Sequence, residues 1–307
     1  MERPRVATNP PGVRVAVVTT SYPDAPGDAS GHFVRAEVSA MRSQGHDVEV
    51  VKPRAGGAFG WPGVVARVRE FPPRVLEVVG FVRNARVILE RGGFDRVVAH
   101  WAVPSALPIA TSCRSPLEIV SHGGDVRLLR GLPGPLREPF VRTLARRACM
   151  WRFVSEPLLD SLCATLTDAT RRALLDVAIV RPPPLELPPI EEREIAARRS
   201  PRGSLYVSVG RLVSKKRVDR VLKHIAFRRS TGEDACLVVV GDGPEDRRLR
   251  RLAAELKVPA RFVGKTSHSD ALTWIAAANT LAFASEDEGL STVLREAAAL
   301  GTAVVHV

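Results

Sequence analysis

Residues 204–245 read SLYVSVGRLVSKKRVDRVLKHIAFRRSTGEDACLVVVGDGPE. The run opens on 204–209, where apolar and β-branched side chains dominate, and Gly210 stops it. Val218, Val221, Leu222, Ile225 and Ala226 then recur on one face of a helix, an amphipathic stripe suited to packing on a sheet. A second apolar run, 235–240, ends at Gly241. Strand, helix and strand in this order form a βαβ unit, from which parallel sheets are built.

The same alternation continues in both directions. Downstream, Leu249, Leu252, Ala253 and Leu256 mark another helix face, and strands are expected at 261–263, 281–284 and 303–307. Upstream lies 181–203, RPPPLELPPIEEREIAARRSPRG, whose stacked prolines cannot extend a sheet or a helix interior. Before it, 13–19 (VRVAVVT) reads as a strand, followed by the breakers Pro23, Gly27 and Gly31. Val34, Val38 and Met41 give a helix that Gly45 ends, and 47–51 a second strand. Further strands are expected at 96–99, 117–121 and 151–154. At 307 residues the chain fits two domains of about 150 residues each. The expected fold is α/β: two Rossmann-like, doubly wound domains, 1–185 and 204–307, joined by a proline-rich linker at 186–203 and facing a cleft. Ligands of such sheets sit beyond the carboxyl ends of the strands.

Composition narrows the function classes. The chain is 45% hydrophobic and 25% charged, as globular proteins are. Cys113, Cys149, Cys163 and Cys236 lie far apart among apolar neighbours, so buried free thiols in a reducing cytosol are expected. Residues 1–13 are polar and proline-rich, unlike a signal peptide, and no apolar window reaches the ~18 residues of a spanning helix. The expected location is the cytoplasm, including the inner face of the membrane. The net charge is +12 with only six lysines, so arginine carries the excess. Nucleic acid is not expected as a partner, because the arginines are scattered and aromatics are only 5%. An anionic lipid surface, a diphosphate-bearing substrate and a merely solvated surface all remain open. Segment 55–92 interleaves Phe59, Trp61, Phe71 and Phe81 with six arginines. It reads either as helices packed on the first sheet or as an amphipathic dock for anionic lipid.

Chemistry-bearing residues gather at the strand ends. Arg211 and Lys216 follow the strand 204–209, where a planar fork and a point charge would together hold a diphosphate. Glu288, Gly289, Leu290 and Ser291 follow the strand 281–284 and lead into a helix carrying Glu296. Backbone N–H groups at such a turn suit an anion or sugar hydroxyls, and Glu296 suits a ribose diol. No GxGxxG follows a strand, which argues against a dinucleotide redox enzyme. The acidic run 286–288 has no second ligand set beside it to read as a metal site.

The ordered set GRL…K, GDGPE, FVG and EGxxxxxxE resembles family 4 of the retaining glycosyltransferases with the GT-B fold. Gly31, the Gly45-His46 pair, His100 in RVVAHW and His122-Gly123-Gly124-Asp125 extend the resemblance through the first domain. It implies that Arg211 and Lys216 bind the donor diphosphate and stabilise it as leaving group. Glu296 would hold the ribose, and Glu288 with the amides of Gly289, Leu290 and Ser291 would contact the donor sugar. His122, with Asp125 in the same motif, would be catalytic at the reacting carbon, and Gly31 would let the first loop approach the phosphates. The donor would be a nucleotide sugar, the acceptor a glycan, a lipid-linked sugar or a small molecule. Neither a metal nor a separate cofactor is implied. Three departures touch the donor pocket: Arg217 in place of glycine, Leu290-Ser291 in place of Phe-Gly, and Ala284 where proline is usual. The family pattern continues beyond a position like Val307, so a second domain cut short is expected. A non-catalytic sugar-nucleotide-binding remnant is the alternative.

Overall fold

A computed structural model describes residues 12–23, 31–54, 56–59, 63–200, 203–286 and 289–307. The chain divides into two compact units, with the break after Pro184.

The first unit is a six-stranded parallel sheet in the order β2-β1-β3-β4-β5-β6. Its strands are β1 Arg14–Val18, β2 Asp47–Val51, β3 Arg96–His100, β4 Leu117–Ser121, β5 Ala148–Phe153 and β6 Ala178–Val180. Every residue of β4 is buried, as expected of a parallel strand covered on both faces. Helix His32–Ser43 lays Val34, Val38 and Met41 over Val15, Val17, Val98 and Val120. Each fully buried valine contributes ~1.5–3 kcal/mol, enough to fix the helix on the sheet. The chain runs from β1 to the edge strand β2 and returns to β3 on the other side of β1, so the order reverses between β1 and β3.

The second unit has five parallel strands in the order β11-β10-β7-β8-β9. They are β7 Ser204–Val209, β8 Ala235–Val240, β9 Ala260–Gly264, β10 Thr280–Phe283 and β11 Ala303–His306. Helices Val218–Ser230 and Asp246–Glu255 cover one face with Val221, Leu222, Ile225 and Leu249. Helices His268–Ala277 and Thr292–Ala299 cover the other with Leu272, Trp274, Ile275 and Ala297. The reversal here falls between β7 and β10.

Differences from the sequence reading have local causes. β6 has three residues and lies at a sheet edge, too short for a hydrophobic period to announce it. Within 186–203, Glu192–Arg198 is helical; Arg198 pairs with Asp270 and lies over Trp274, while Leu187 and Ile190 pack on the second core. The cysteines are free, but only Cys113 and Cys163 are buried; alternation along β5 puts Cys149 opposite the buried Ala148 and exposes it. Among the described residues, no helix is long and apolar enough to cross a membrane.

Candidate functional site

Ligands of open parallel sheets bind where the strand order reverses, because neighbouring loops diverge there. The second unit places Arg211 and Lys216 at that point, whereas the first sets its two histidines at the ends of β3 and β4, beside the reversal between β1 and β3.

In the first unit, His100 ends β3 and His122 follows β4. His100 is fully buried, and its Nδ1 lies 2.9 Å from Nε2 of His122, with the rings near-parallel. One ring donates and the other accepts. Burial, with the Arg152 guanidinium nearby, lowers the His100 pKa to about 3. Burial, then His100 and Arg152, hold His122 well below the ordinary histidine value. Both rings are therefore neutral near pH 7. Phe33 and Trp101 pack against His122 at 4.7 and 5.1 Å between ring centres.

Asp125, placed by the sequence among the catalytic groups, is 1% exposed and faces the protein. Its Oδ1 accepts the backbone N–H of His122 at 3.2 Å and of Gly123 at 3.1 Å. Its Oδ2 accepts the N–H of Ala102 at 2.8 Å. Burial raises its pKa, against hydrogen bonds from Ser121 and backbone amides that favour the anion. The side chain thus ties the turn after β4 to the turn after β3. It positions His122.

Behind the histidines runs a buried ionic row that the sequence reading missed. Arg152 on β5 pairs with Glu37 on helix His32–Ser43 and with Glu118 on β4, the latter at 3.3 Å. All three are buried. A charge set in the apolar runs LEIVS and WRFV was the available signal. Gly31 begins helix His32–Ser43 in a left-handed conformation, and a Cβ there would stand 2.4 Å from the Ser21 carbonyl oxygen.

In the second unit, a cavity opens between the carboxyl ends of β7 and β10. Gly210, Arg211, Lys216, Phe283, Ser285 and Val293 are among the residues lining it. The Lys216 side chain runs beside Gly210, within 3.6 Å of where a Cβ would stand. The GDGPE turn braces this loop from the β8 side: Gly210 N–H donates to Val240 O, and Leu212 N–H to Asp242 O at 2.7 Å. Gly241 has φ +130, and a Cβ there would lie 1.9 Å from the Gly210 carbonyl oxygen. No other residue fits that contact.

Arg217, which stands where glycine is usual, has φ 49 and ψ 38. A side chain in that left-handed region costs ~1–2 kcal/mol. Its Nη1 donates to Glu286 Oε1 at 2.7 Å and its Nε to Asp219 Oδ1 at 3.3 Å.

Glu288 lies outside the described residues. Gly289 and Leu290 are half-buried, and Ser291 is buried where helix Thr292–Ala299 begins. Glu296 lies one turn beyond the cavity-lining Val293 on that helix, and is only 5% exposed. Its Oε1 is 2.7 Å from Nε2 of His268, at the start of helix His268–Ala277. The sequence reading did not use His268, since a lone histidine at a helix start carries no signal of its own. The second unit therefore brings Arg211 and Lys216 into one cavity, with Glu296 a turn below it and Gly289 to Ser291 leading in.

Residues 30–175 match the family described as Glycosyltransferase Family 4, and residues 191–307 match Glycosyl transferases group 1. The chain belongs to the family 4 glycosyltransferases. A Corynebacterium glutamicum relative, a GDP-mannose-dependent monoacylated alpha-(1-6)-phosphatidylinositol monomannoside mannosyltransferase, is 32% identical over 102 residues. That match covers 31% of this chain and 27% of the relative, about a quarter of the relative's length. Among solved structures, sucrose-phosphate synthase from Thermosynechococcus elongatus aligns with a TM-score of 0.72 at 18% identity, over 96% of this chain and 81% of its own. Anabaena Alr3699/HepE, in complex with UDP and glucose, aligns at 0.63 and 16%, over 96% and 80%. At such identities these two share the fold with this GT-B family member.

Proposed function

We propose that this family 4 member is a retaining glycosyltransferase that moves a sugar from a nucleotide-diphosphate donor to a glycan, lipid-linked or small-molecule acceptor. The observation that carries the reading is the pairing of Arg211 and Lys216 in one cavity at the reversal between β7 and β10. A diphosphate seated there meets a guanidinium fork and an ammonium, which neutralise charge that grows as the C1–O bond to phosphate lengthens. Glu296 takes the ribose hydroxyls, with His268 fixing its carboxylate. Glu288 and the amides of Gly289, Leu290 and Ser291 take the sugar. The acceptor oxygen bonds C1 on the face the phosphate leaves, and its proton passes to the departing phosphate oxygen. Neutral His122, held by His100 and Asp125, serves the reacting sugar as a hydrogen-bonding group without adding positive charge. No metal is needed in this scheme, because the two cations supply the neutralisation.

The relative's use of GDP-mannose and a phosphatidylinositol mannoside makes GDP-mannose the first donor to try and a lipid-linked sugar the first acceptor class. Helix Val75–Arg91 fits such an acceptor. It buries only Phe81 and Ala85 and leaves Leu76 71% exposed, with Val75, Val79 and Val87 on the same outward side; Phe71, just before it, is 54% exposed. Arg69, Arg83 and Arg91 are exposed here, as are Glu70, Glu77 and Glu90, so the apolar face carries charges of both signs, and its arginines offer contacts to anionic lipid. Trp61, counted with this segment in sequence, lies outside the described residues.

The test is sugar transfer from GDP-mannose and UDP-glucose to mannosylated phosphoinositide in mixed micelles, with product anomers assigned by NMR. Transfer with retained configuration supports the proposal. Donor binding without transfer or hydrolysis would mark a sugar-nucleotide-binding module instead.

A further inference from the structure

Arg217 joins a left-handed backbone to a forked side chain, at a junction between two loops. It separates the 3-10 turn Ser214–Lys216 from helix Val218–Ser230, and its N–H donates to Ser214 O at 3.0 Å. That bend ends the turn whose last residue, Lys216, lines the cavity. From the bend the guanidinium reaches Asp219 with Nε and Glu286 with Nη1. Arg220 adds a contact to the same Glu286 oxygen at 3.1 Å, and Glu286 N–H donates to Lys215 O at 3.0 Å. Three contacts thus pin Glu286 to the turn after β7, and Glu286 lies in the loop that runs from β10 toward Gly289 and Ser291.

We infer that Arg217 is a positioning residue that fixes the loop after β10 against the Lys216 turn, and so sets the fit of the donor's sugar end. The inference rests on the donor-site reading above. Glycine would suit this backbone without strain, so arginine persists here because its surroundings hold it. The pair with Glu286 is partly exposed, and such pairs contribute little to stability. What they do supply is geometry: a planar fork between two carboxylates fixes one direction, which a lysine ammonium does not. The consequence is a division of labour. Arg211 and Lys216 grip the diphosphate, which all donors share, while the Arg217–Glu286 link acts on the sugar.

The test compares Arg217→Gly, Arg217→Lys and Glu286→Gln with the natural protein by calorimetry, using GDP, UDP, GDP-mannose and UDP-glucose as probes. Amide hydrogen exchange at residue 286 is followed without ligand. In Arg217→Gly, diphosphate affinity should stay within about twofold while affinity for the preferred nucleotide sugar falls roughly tenfold, a size usual for coupled neighbours. The thermal midpoint should not fall, since glycine relieves the left-handed strain. Exchange at residue 286 should quicken severalfold as one of its three contacts is lost, with Arg220 and the Lys215 carbonyl still in place. Combining Arg217→Gly with Glu286→Gln should add little to either alone, and Arg217→Lys should fall between. An unchanged ratio of nucleotide-sugar to diphosphate affinity overturns the inference, as does an equal loss for both ligand types. If the natural protein binds none of the four probes, the donor-site reading fails and the inference goes with it.

Discussion

The imidazole of His100 stands 2.9 Å from that of His122, Nδ1 to Nε2, in a setting that keeps both rings neutral. His100 has no exposure to water, so the pair points inward from the one ring that does. Such a pair couples the two tautomers: if His122 donates from Nε2, His100 carries its proton on Nε2, and if His100 donates from Nδ1, His122 carries its proton on Nδ1.

That neutrality makes stability depend on pH. In the unfolded chain each histidine takes its proton near ~6.5. Folded His100 takes it only near pH 3. Its contribution is therefore complete above ~6.5 and is lost as pH falls toward 3, at ~1.4 kcal/mol per pH unit. Thermal midpoints between pH 7 and 4.5 should fall less steeply in His100→Asn than in the natural protein. Parallel curves would mean that His100 is not held neutral by the fold.

Asp125→Asn tests the brace beneath His122. The carboxylate accepts three backbone N–H groups on its two oxygens, and an amide offers one oxygen. At least one buried N–H then loses its partner, at a cost of ~1–3 kcal/mol. Chemical denaturation should show that loss, and transfer should slow with it, because His122 drifts. A variant with natural stability would show that the three bonds are not needed.

The fold was largely legible in the sequence because its strands are β-branched runs between glycines, and its helices carry unbroken apolar stripes. Val218, Val221, Leu222 and Ile225 lie on the core as their spacing required. Legibility fell where a residue's role depends on a distant partner. Asp125 followed His122 in a motif, yet only the folded chain brings the Ala102 amide to it. Glu296 suited a ribose by its place on a helix, and nothing in its neighbourhood along the chain disclosed His268, 28 residues away. Arg217 stood out as a departure from glycine, but its partner Glu286 lies 69 residues on.

The Glu37–Arg152–Glu118 row invites a two-part substitution test. Arg152→Met removes the cation that Glu37 and Glu118 share, leaving Glu118 with Arg96 at 3.7 Å, and should cost ~3–5 kcal/mol in urea unfolding. Replacing all three residues by apolar ones of similar size should recover much of that, since a well-packed apolar set can equal a buried ionic one. A triple variant no more stable than Arg152→Met would show that the row does more than balance its own charge.

Membrane contact through helix Val75–Arg91 should appear in vesicle sedimentation. Binding to anionic vesicles is expected to weaken as salt rises, because exposed charges are screened beyond ~10 Å at 0.1 M. Leu76→Asp should reduce it by placing charge in the exposed apolar face. Equal binding to neutral vesicles, or none to anionic ones, would remove this surface from the account.

The donor diphosphate lies at the heart of the proposed chemistry, and calorimetry with GDP and UDP on the natural protein, Arg211→Ala and Lys216→Ala probes its grip. Removing either cation should weaken binding of the preferred diphosphate by ~1.5–3 kcal/mol, the usual worth of a hydrogen bond to a charged group. That is roughly 10- to 150-fold in dissociation constant. Affinity unchanged in Lys216→Ala would contradict the placement of the donor at the reversal between β7 and β10.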